Sequence, residues 1–270
     1  MNRFYLITNK TKDKNLKITN QIKGYIERKG GVCFLADEYP SLPEQVECIL
    51  VLGGDGTLIR AARELPCSDV PMLGINMGTL GYLTEVEVSD VEASIDQLMS
   101  GNSYVEKRML LQGTVQDNRQ ILALNDIVLT RSTKVRVIQF HVYVNGELLN
   151  TYRADGVIVS TPTGSTAYNL SAGGPVVAPT ASLIVITPIC SHALNTSSIV
   201  LSADDEIVLE VGPGRDGNIE EAVVSFDGEE DVIIHTGEQI QIKKAEATAK
   251  LLKLNKISFL EIMRRKMKGN

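Results

Sequence analysis

The chain of 270 residues carries 27 Lys and Arg against 33 Asp and Glu, a net charge of -6, with 43% apolar and 22% charged residues. That is the make-up of an ordinary folded protein of one large or two modest domains. The negative balance excludes a nucleic-acid or polybasic membrane surface as the main function, so a bound anion needs a local set of donors.

In chain order, RFYLIT reads as a first strand, too short an apolar run for the core of a signal peptide. A polar stretch from Lys14 to Lys29 follows, with Leu16, Ile18, Ile22, Tyr25 and Ile26 near helical spacing. GGVCFLA is a second strand. VECILVLGG is a third, uninterrupted enough to be buried on both faces, as in helix-covered parallel sheets. GTLIRAARELP is a short helix, PMLGIN a strand, and VSDVEASIDQLMSG a helix capped at Ser89 or Asp90 and stopped by Gly101. Residues 1–100 are therefore predicted as a Rossmann-like α/β domain with a parallel sheet.

The texture then changes. Residues 101–250 read as all-β, with a hairpin signal at Asn145-Gly146 and further strands in GVIVST, SLIVIT, EIVLEV, AVVSFDGEE and QIQIKKA. Residues 251–270 hold an amphipathic helix, ISFLEIMRRKMKG, whose basic last turn complements the helix dipole. No stretch approaches the roughly 18 apolar residues of a transmembrane helix. Cys33, Cys48, Cys67 and Cys190 lack any C-x-x-C spacing and read as free thiols. No secretory leader is expected, so the sequons at Asn169 and Asn195 read as chance. A cytoplasmic location is expected, with no nucleic-acid or membrane partner.

Three loops carry candidate chemistry. GGDGT, Gly53 to Thr57, sits where a strand gives way to a helix, the ligand-binding edge of such folds. Its backbone N–H groups and the helix N-terminus favour phosphate, with Gly54, Gly56 and Thr57 as the seat. No lysine follows the glycines, so a triphosphate needs Mg²⁺ and another cation, for which Arg60 is nearest in the chain. Asp55 fits two tasks, accepting a proton from an attacking hydroxyl or binding the metal; the third reading is a helix cap. A second glycine-rich loop, GINMGTLGYLTEV, includes Asn76, Gly78, Thr79, Gly81 and Tyr82 and suggests a site shared with the first; two ordinary tight turns are the alternative. The third, Ser160 to Gly174 within RADGVIVSTPTGSTAYNLSAGGP, is a long polar connection without regular structure. Its dense hydroxyls and Tyr168 suit a nucleoside, with Asp155 as an acceptor; an inert ordered connection is the alternative. His192, His141 and His235 receive no chemistry.

With GGDGT, GINMGTLGYLTEV, LNDIVL and DGVIVSTPTGSTAYNLSAGGP in this order, the chain resembles the NAD kinase family over essentially its full length. The long threonine–glycine–serine motif is the specific one, since lipid kinases and phosphofructokinases share loops like the first. The resemblance implies an N-terminal Rossmann-like domain, a C-terminal β-sandwich-like domain, and a C-terminal segment returning to the first domain. It implies transfer of the terminal phosphoryl group of ATP, or of polyphosphate, to the 2′-hydroxyl of the adenosine ribose of NAD. It further implies Asp55 as proton acceptor with Gly56 beside it, Asn125 and Asp126 as a nucleotide-binding pair, and Asp155, Arg136 and Arg153 as further NAD contacts. Thr163, Thr166, Ala167, Tyr168 and Ser171 match the adenosine-side loop, and Arg60 a basic position near the phosphates. A homodimer or homotetramer with sites completed across subunits is implied.

The chain departs from the family pattern in places. Asp126 replaces a common Glu and reaches less far; Tyr82 replaces a common Phe; Cys190 replaces a small residue. NTSSIV, with Thr196 to Ser198, stands where an Arg-Pro pair is usual, and Glu229 where Gln or His often meets the ligand. Two competing classes are a lipid or sugar kinase and a sensor that binds NAD without turnover. The polar third loop argues against a lipid pocket, and the intact Asp55 and glycines against the sensor.

Overall fold

The computed structural model describes residues 1–65, 69–78, 81–132, 137–192, 197–255 and 258–267. Cys67, Thr79, Arg136, Asn195 and Thr196 lie outside the described residues.

In the first unit, Met1–Lys107 with Ala249–Asn270, apolar runs demand cover on two faces. β1 (Arg3–Thr8), β2 (Val32–Leu35), β3 (Cys48–Gly53) and β4 (Met72–Asn76) make a parallel sheet in the order β4-β3-β1-β2, with β5 (Val86–Glu87) beside β4. Strand residues alternate between faces. Phe4, Leu6, Leu50, Leu52, Leu73 and Ile75 meet Ile22 and Ile26 of α1 (Lys17–Arg28) on one side. α2 (Asp55–Glu64) covers the other, where Leu58 lies against Gly74. α3 (Val91–Met99) adds Ile95 and Leu98 to the first face. Helices on both faces of a parallel sheet make the doubly wound arrangement the sequence predicts, and its βα loops leave at one carboxyl edge.

The second unit is Arg108–Thr248. β6 (Tyr104–Thr114), which begins in the first unit, pairs antiparallel with β7 (Gln120–Ala123). Then come β8 (Asp126–Arg131), β9 (Ile138–Val144), β10 (Glu147–Ala154) and β11 (Gly156–Ser160). The stretch Ser160–Gly174 is more regular than its composition implies: a 3₁₀ turn at Gly164–Thr166 and a short α4 (Tyr168–Ser171) interrupt it. β12 (Leu183–Ile189), β13 (Ile199–Ser202), β14 (Ile207–Val211), β15 (Glu221–Phe226), β16 (Glu230–His235) and β17 (Gln239–Lys253) complete the strands. Two antiparallel layers result, β13-β12-β11-β8-β15-β16 and β10-β9-β14-β17. Ile127, Leu129, Val157 and Ile186 of the first share one core with Phe140, Val142, Leu209 and Ile242 of the second, a sandwich as expected. The hairpin at Asn145 (φ 51°) and Gly146 (φ 83°) has the left-handed pair of a type I′ turn.

β17 ends in the first unit, where Leu251 pairs parallel with Met72 of β4. The ammonium of Lys253 lies 2.9 Å from Glu85, both side chains 8% exposed. Glu85 also accepts the N–H groups of Leu254 (3.2 Å) and Asn255 (3.1 Å). In α5 (Phe259–Met267), Lys266 sits 4.5 Å from the centre of the Tyr82 ring, so part of the basic cluster binds an aromatic face as well as the helix dipole.

Candidate active site

Asp55 begins α2, but it does not cap it: Gly54 is the cap residue and no side chain bonds the helix end. Its carboxylate is taken by the second glycine loop instead. Oδ2 accepts the N–H of Tyr82 at 2.6 Å, and Oδ1 accepts those of Leu83 and Thr84 at 3.1 Å each. A carboxylate has about four acceptor positions, so these bonds leave one. Gly81 has a steric reason: a Cβ there would lie 1.9 Å from Asp55 Oδ1. Gly56 has none within the protein, since a Cβ there would meet nothing within 4 Å. Glycine in a helix weakens it by roughly 0.5–1 kcal/mol relative to alanine. The open space above Gly56, at the positive end of α2, is where an incoming anion can touch backbone.

Neighbouring loops stiffen this seat. Met77 N–H donates to Gly53 O at 2.6 Å, and the Asn76 amide to Gly78 O at 2.9 Å. Asn9 N–H donates to Leu52 O at 2.8 Å, while its side chain donates to the Thr57 hydroxyl at 3.2 Å. Thr57 is buried, so its hydroxyl ties loops together. Arg60 is exposed on α2, with Nε 3.9 Å from Glu64.

The second unit carries a groove of about 370 Å³ on the outer face of its six-stranded sheet. β8 alternates across it: Ile127 and Leu129 enter the core, while Asp126, Val128 and Thr130 line the groove. Asn125, Ala167 and Tyr168 also line it, with Tyr168 44% exposed. Asp126 is only 5% exposed. Burial, then the nearby Asp227 charge, pushes its carboxyl up to about 7, so near neutrality it can donate as well as accept.

Asp227 organises this end of the groove, and sequence reasoning missed it. It accepts the N–H groups of Leu124 (2.8 Å), Asn125 (2.7 Å) and Asp126 (3.2 Å), and its own N–H donates to Asp126 O (3.1 Å). Its left-handed φ of 53°, followed by Gly228 at 69°, turns β15 into β16. The Asp-Gly pair in SFDGEE signals such a turn; nothing local signals partners a hundred residues upstream.

The hydroxyls of Ser160–Gly174, expected to face a nucleoside, mostly hold their own loop. Thr161 Oγ1 donates to Leu124 O at 2.6 Å and accepts Gly164 N–H at 3.0 Å. Ser165 Oγ donates to Pro162 O at 2.7 Å and accepts Val177 N–H at 3.0 Å. Asn169 donates to Ser165 O (3.1 Å) and accepts the Thr187 hydroxyl (2.7 Å). Thr163 is buried and accepts from Arg108 at 3.3 Å; Thr166 donates to Thr163 O at 3.4 Å; Ser171 is exposed. These three do not line the groove.

Other expected residues lie elsewhere. Asp155 receives Arg131 Nε at 2.9 Å beyond the far end of β8, roughly 17 Å along the strand from Asp126. Arg153 is exposed on β10, Glu229 is exposed next to Gly228, and Cys190 is exposed with φ 47°. Ser198 Oγ is 2.8 Å from Thr187 Oγ1.

Residues 9–103 match the family model described as the ATP-NAD kinase N-terminal domain, and residues 124–254 that of the ATP-NAD kinase C-terminal domain. The chain is 45% identical to a NAD kinase of Agathobacter rectalis, covering 100% of this chain and 99% of the relative. It is 43% identical to a NAD kinase of Lachnospira eligens, covering 99% and 100%. Among solved structures, it is similar to a NAD kinase from Archaeoglobus fulgidus in complex with ATP, at a TM-score of 0.81 and 25% identity over 98% of each chain. A yeast NADH kinase complexed with NADH shares the fold, at a TM-score of 0.80 and 22% identity over 99% of this chain and 88% of that one.

Proposed function

This chain belongs to the NAD kinase family, and on that premise we propose that it transfers the terminal phosphoryl group of ATP to the 2′-hydroxyl of the adenosine ribose of NAD, making NADP. It is an enzyme, a phosphotransferase. The observation that carries the assignment of residues is the seat of Asp55, a carboxylate with one acceptor position left beside a glycine open to an incoming group.

In this reading, Asp55 accepts a hydrogen bond from the acceptor hydroxyl through its remaining lone pair. A carboxylate is a weak base toward an alcohol, so it chiefly orients the hydroxyl and takes its proton late. Phosphoryl transfer asks little more, because positioning and charge stabilisation dominate it. Gly54, Gly56 and the opening N–H groups of α2 receive the donor's phosphates, with Arg60 at the margin. Tyr168 stacks on the adenosine side, and Asn125 and Asp126 take its polar edges. Thr163, Thr166, Ala167 and Ser171 shape that side; Arg136, Arg153 and Asp155 are further NAD contacts. For Arg153 and Asp155, the distance from the groove fits contact with a neighbouring subunit's ligand.

Among the described residues no cluster of three or more His, Cys, Asp or Glu could cage a metal. That donor set fits Mg²⁺ carried by the phosphates, which needs one or two carboxylates at most. Mg²⁺ would neutralise charge on the β- and γ-phosphates. The phosphate seat makes no demand on a base, so polyphosphate is a second donor to test. The family resemblance implies a homodimer or homotetramer, which light scattering would measure. No described helix is long and apolar enough to cross a membrane, and we place the enzyme in the cytoplasm.

The deciding assay supplies ATP, Mg²⁺ and NAD and reads NADP with an NADP-specific dehydrogenase. NADP formation is expected. No NADP, with a phosphorylated lipid formed from diacylglycerol, would overturn the reading; NAD binding without product would make the chain a sensor.

A further inference from the structure

The loop from β1 to α1 brings a lysine to the phosphate seat. Asn9 binds this loop to β3 through Leu52 O and to α2 through the Thr57 hydroxyl. Lys12 N–H donates to Asn9 O at 3.0 Å, which fixes the turn at that edge. The side chain of Lys12 then reaches over both glycine loops. A Cβ on Gly54 would lie 3.2 Å from its ammonium nitrogen, and one on Gly78 would lie 3.4 Å away. Two residues earlier, Lys10 is held by Asp37 at 2.9 Å. Lys12 makes no ion pair among the described residues.

An unpaired ammonium above glycine turns, at the positive end of α2, concentrates positive potential in one place. The same place holds the Asp55 carboxylate, which repels phosphate unless a cation offsets it. GGDGT has no lysine of its own, and Arg60 leans toward Glu64. We propose that Lys12 is the cation that grips the phosphate donor: its ammonium donates to phosphate oxygens seated over Gly54 and Gly56. A cation from one βα loop thus completes an anion seat built by the next two. This rests on the reading of the chain as a NAD kinase, because the ligand is the donor of that reaction.

Two measurements test it. Steady-state kinetics of Lys12→Gln and Lys12→Arg are taken with ATP and NAD varied separately. Amine acylation of the wild-type chain, with and without ATP and Mg²⁺, is followed by mass spectrometry at Lys10, Lys12 and Lys14. Lys12→Gln is expected to raise the KM for ATP at least about tenfold, the worth of one charge-assisted hydrogen bond. The KM for NAD stays within about twofold, and Lys12→Arg recovers most of the loss. ATP is expected to protect Lys12 and to leave Lys10 and Lys14 reactive. An unchanged KM for ATP together with unprotected Lys12 would overturn the proposal. Acylation is read whether or not NADP forms, so the two readings fail differently. Protected Lys12 without NADP sinks the kinase reading alone, and NADP formation with unprotected Lys12 and unchanged KM sinks this one alone.

Discussion

The GGDGT loop of the first unit and the Ser160–Gly174 loop of the second solve different problems with similar vocabularies. Both are dense in glycine and short polar residues. In the first, the backbone of another loop holds the polar side chain: Asp55 is gripped by the N–H groups of Tyr82, Leu83 and Thr84 and keeps one acceptor position. In the second, the polar side chains hold the backbone: Thr161, Ser165 and Asn169 bond carbonyls and N–H groups of their own neighbourhood. Only Ala167 and Tyr168 of that stretch line the groove. Polar density thus marks a demanding backbone path as readily as a ligand contact. It also predicts opposite consequences of substitution: lost turnover in the first loop, lost affinity or stability in the second.

The largest effect is expected at Asp55→Asn, with turnover falling by about 10²–10⁴ while NAD binding persists, read by single-turnover kinetics and titration. Unchanged turnover would rule out Asp55 as the proton acceptor. Gly81→Ala comes next. Its new Cβ collides with Asp55 Oδ1, and a displacement on the order of 1 Å costs roughly 10²-fold in rate. If kcat holds, the backbone grip is dispensable. Tyr168→Ala is expected to raise the KM for NAD about tenfold with kcat nearly constant, since stacking on one base is worth about 1–3 kcal/mol. A fall in kcat at constant KM would move Tyr168 into the first class.

Thr161→Val is expected to lower unfolding free energy by about 1–3 kcal/mol in urea melts, because Leu124 O and Gly164 N–H lose their buried partner. The smallest effect is a slope with pH. Asp126 keeps its proton in the folded chain up to about 7, above its ordinary carboxylate value. The folded state therefore holds a proton that the unfolded state has released across that window, and stability falls as pH rises through it. The gap between Asp126→Asn and the wild type should widen from about pH 5 to pH 8. A gap that stays constant would mean that Asp126 is already ionised in the fold.

Much of this was legible in advance for physical reasons. The unbroken run Cys48–Leu52 announces a strand covered on both faces, and it is buried throughout. Asn145-Gly146 announces a tight hairpin, because few other pairs accept its left-handed geometry. The groove end was readable in Asn125, Asp126 and Tyr168 through family motifs. The role of Asp227 was not, because its partners Leu124 and Asn125 are 103 and 102 residues away. Nor was the grip on Asp55, which joins groups 27 to 29 residues apart.

The amino-acid sequence alone determined which segments bury which faces, where the chain turns, and to which family its motifs belong. Those are properties of short windows, where periodicity and backbone preference act. Tertiary structure alone decided which polar groups are consumed in holding a loop and which remain for a ligand. It left Asp55 one acceptor position, enclosed the hydroxyls of Thr161 and Ser165, and brought Lys12 over Gly54 and Gly78. The physical reason is that a hydrogen bond or a charge acts over a few ångströms of space, whatever the distance along the chain.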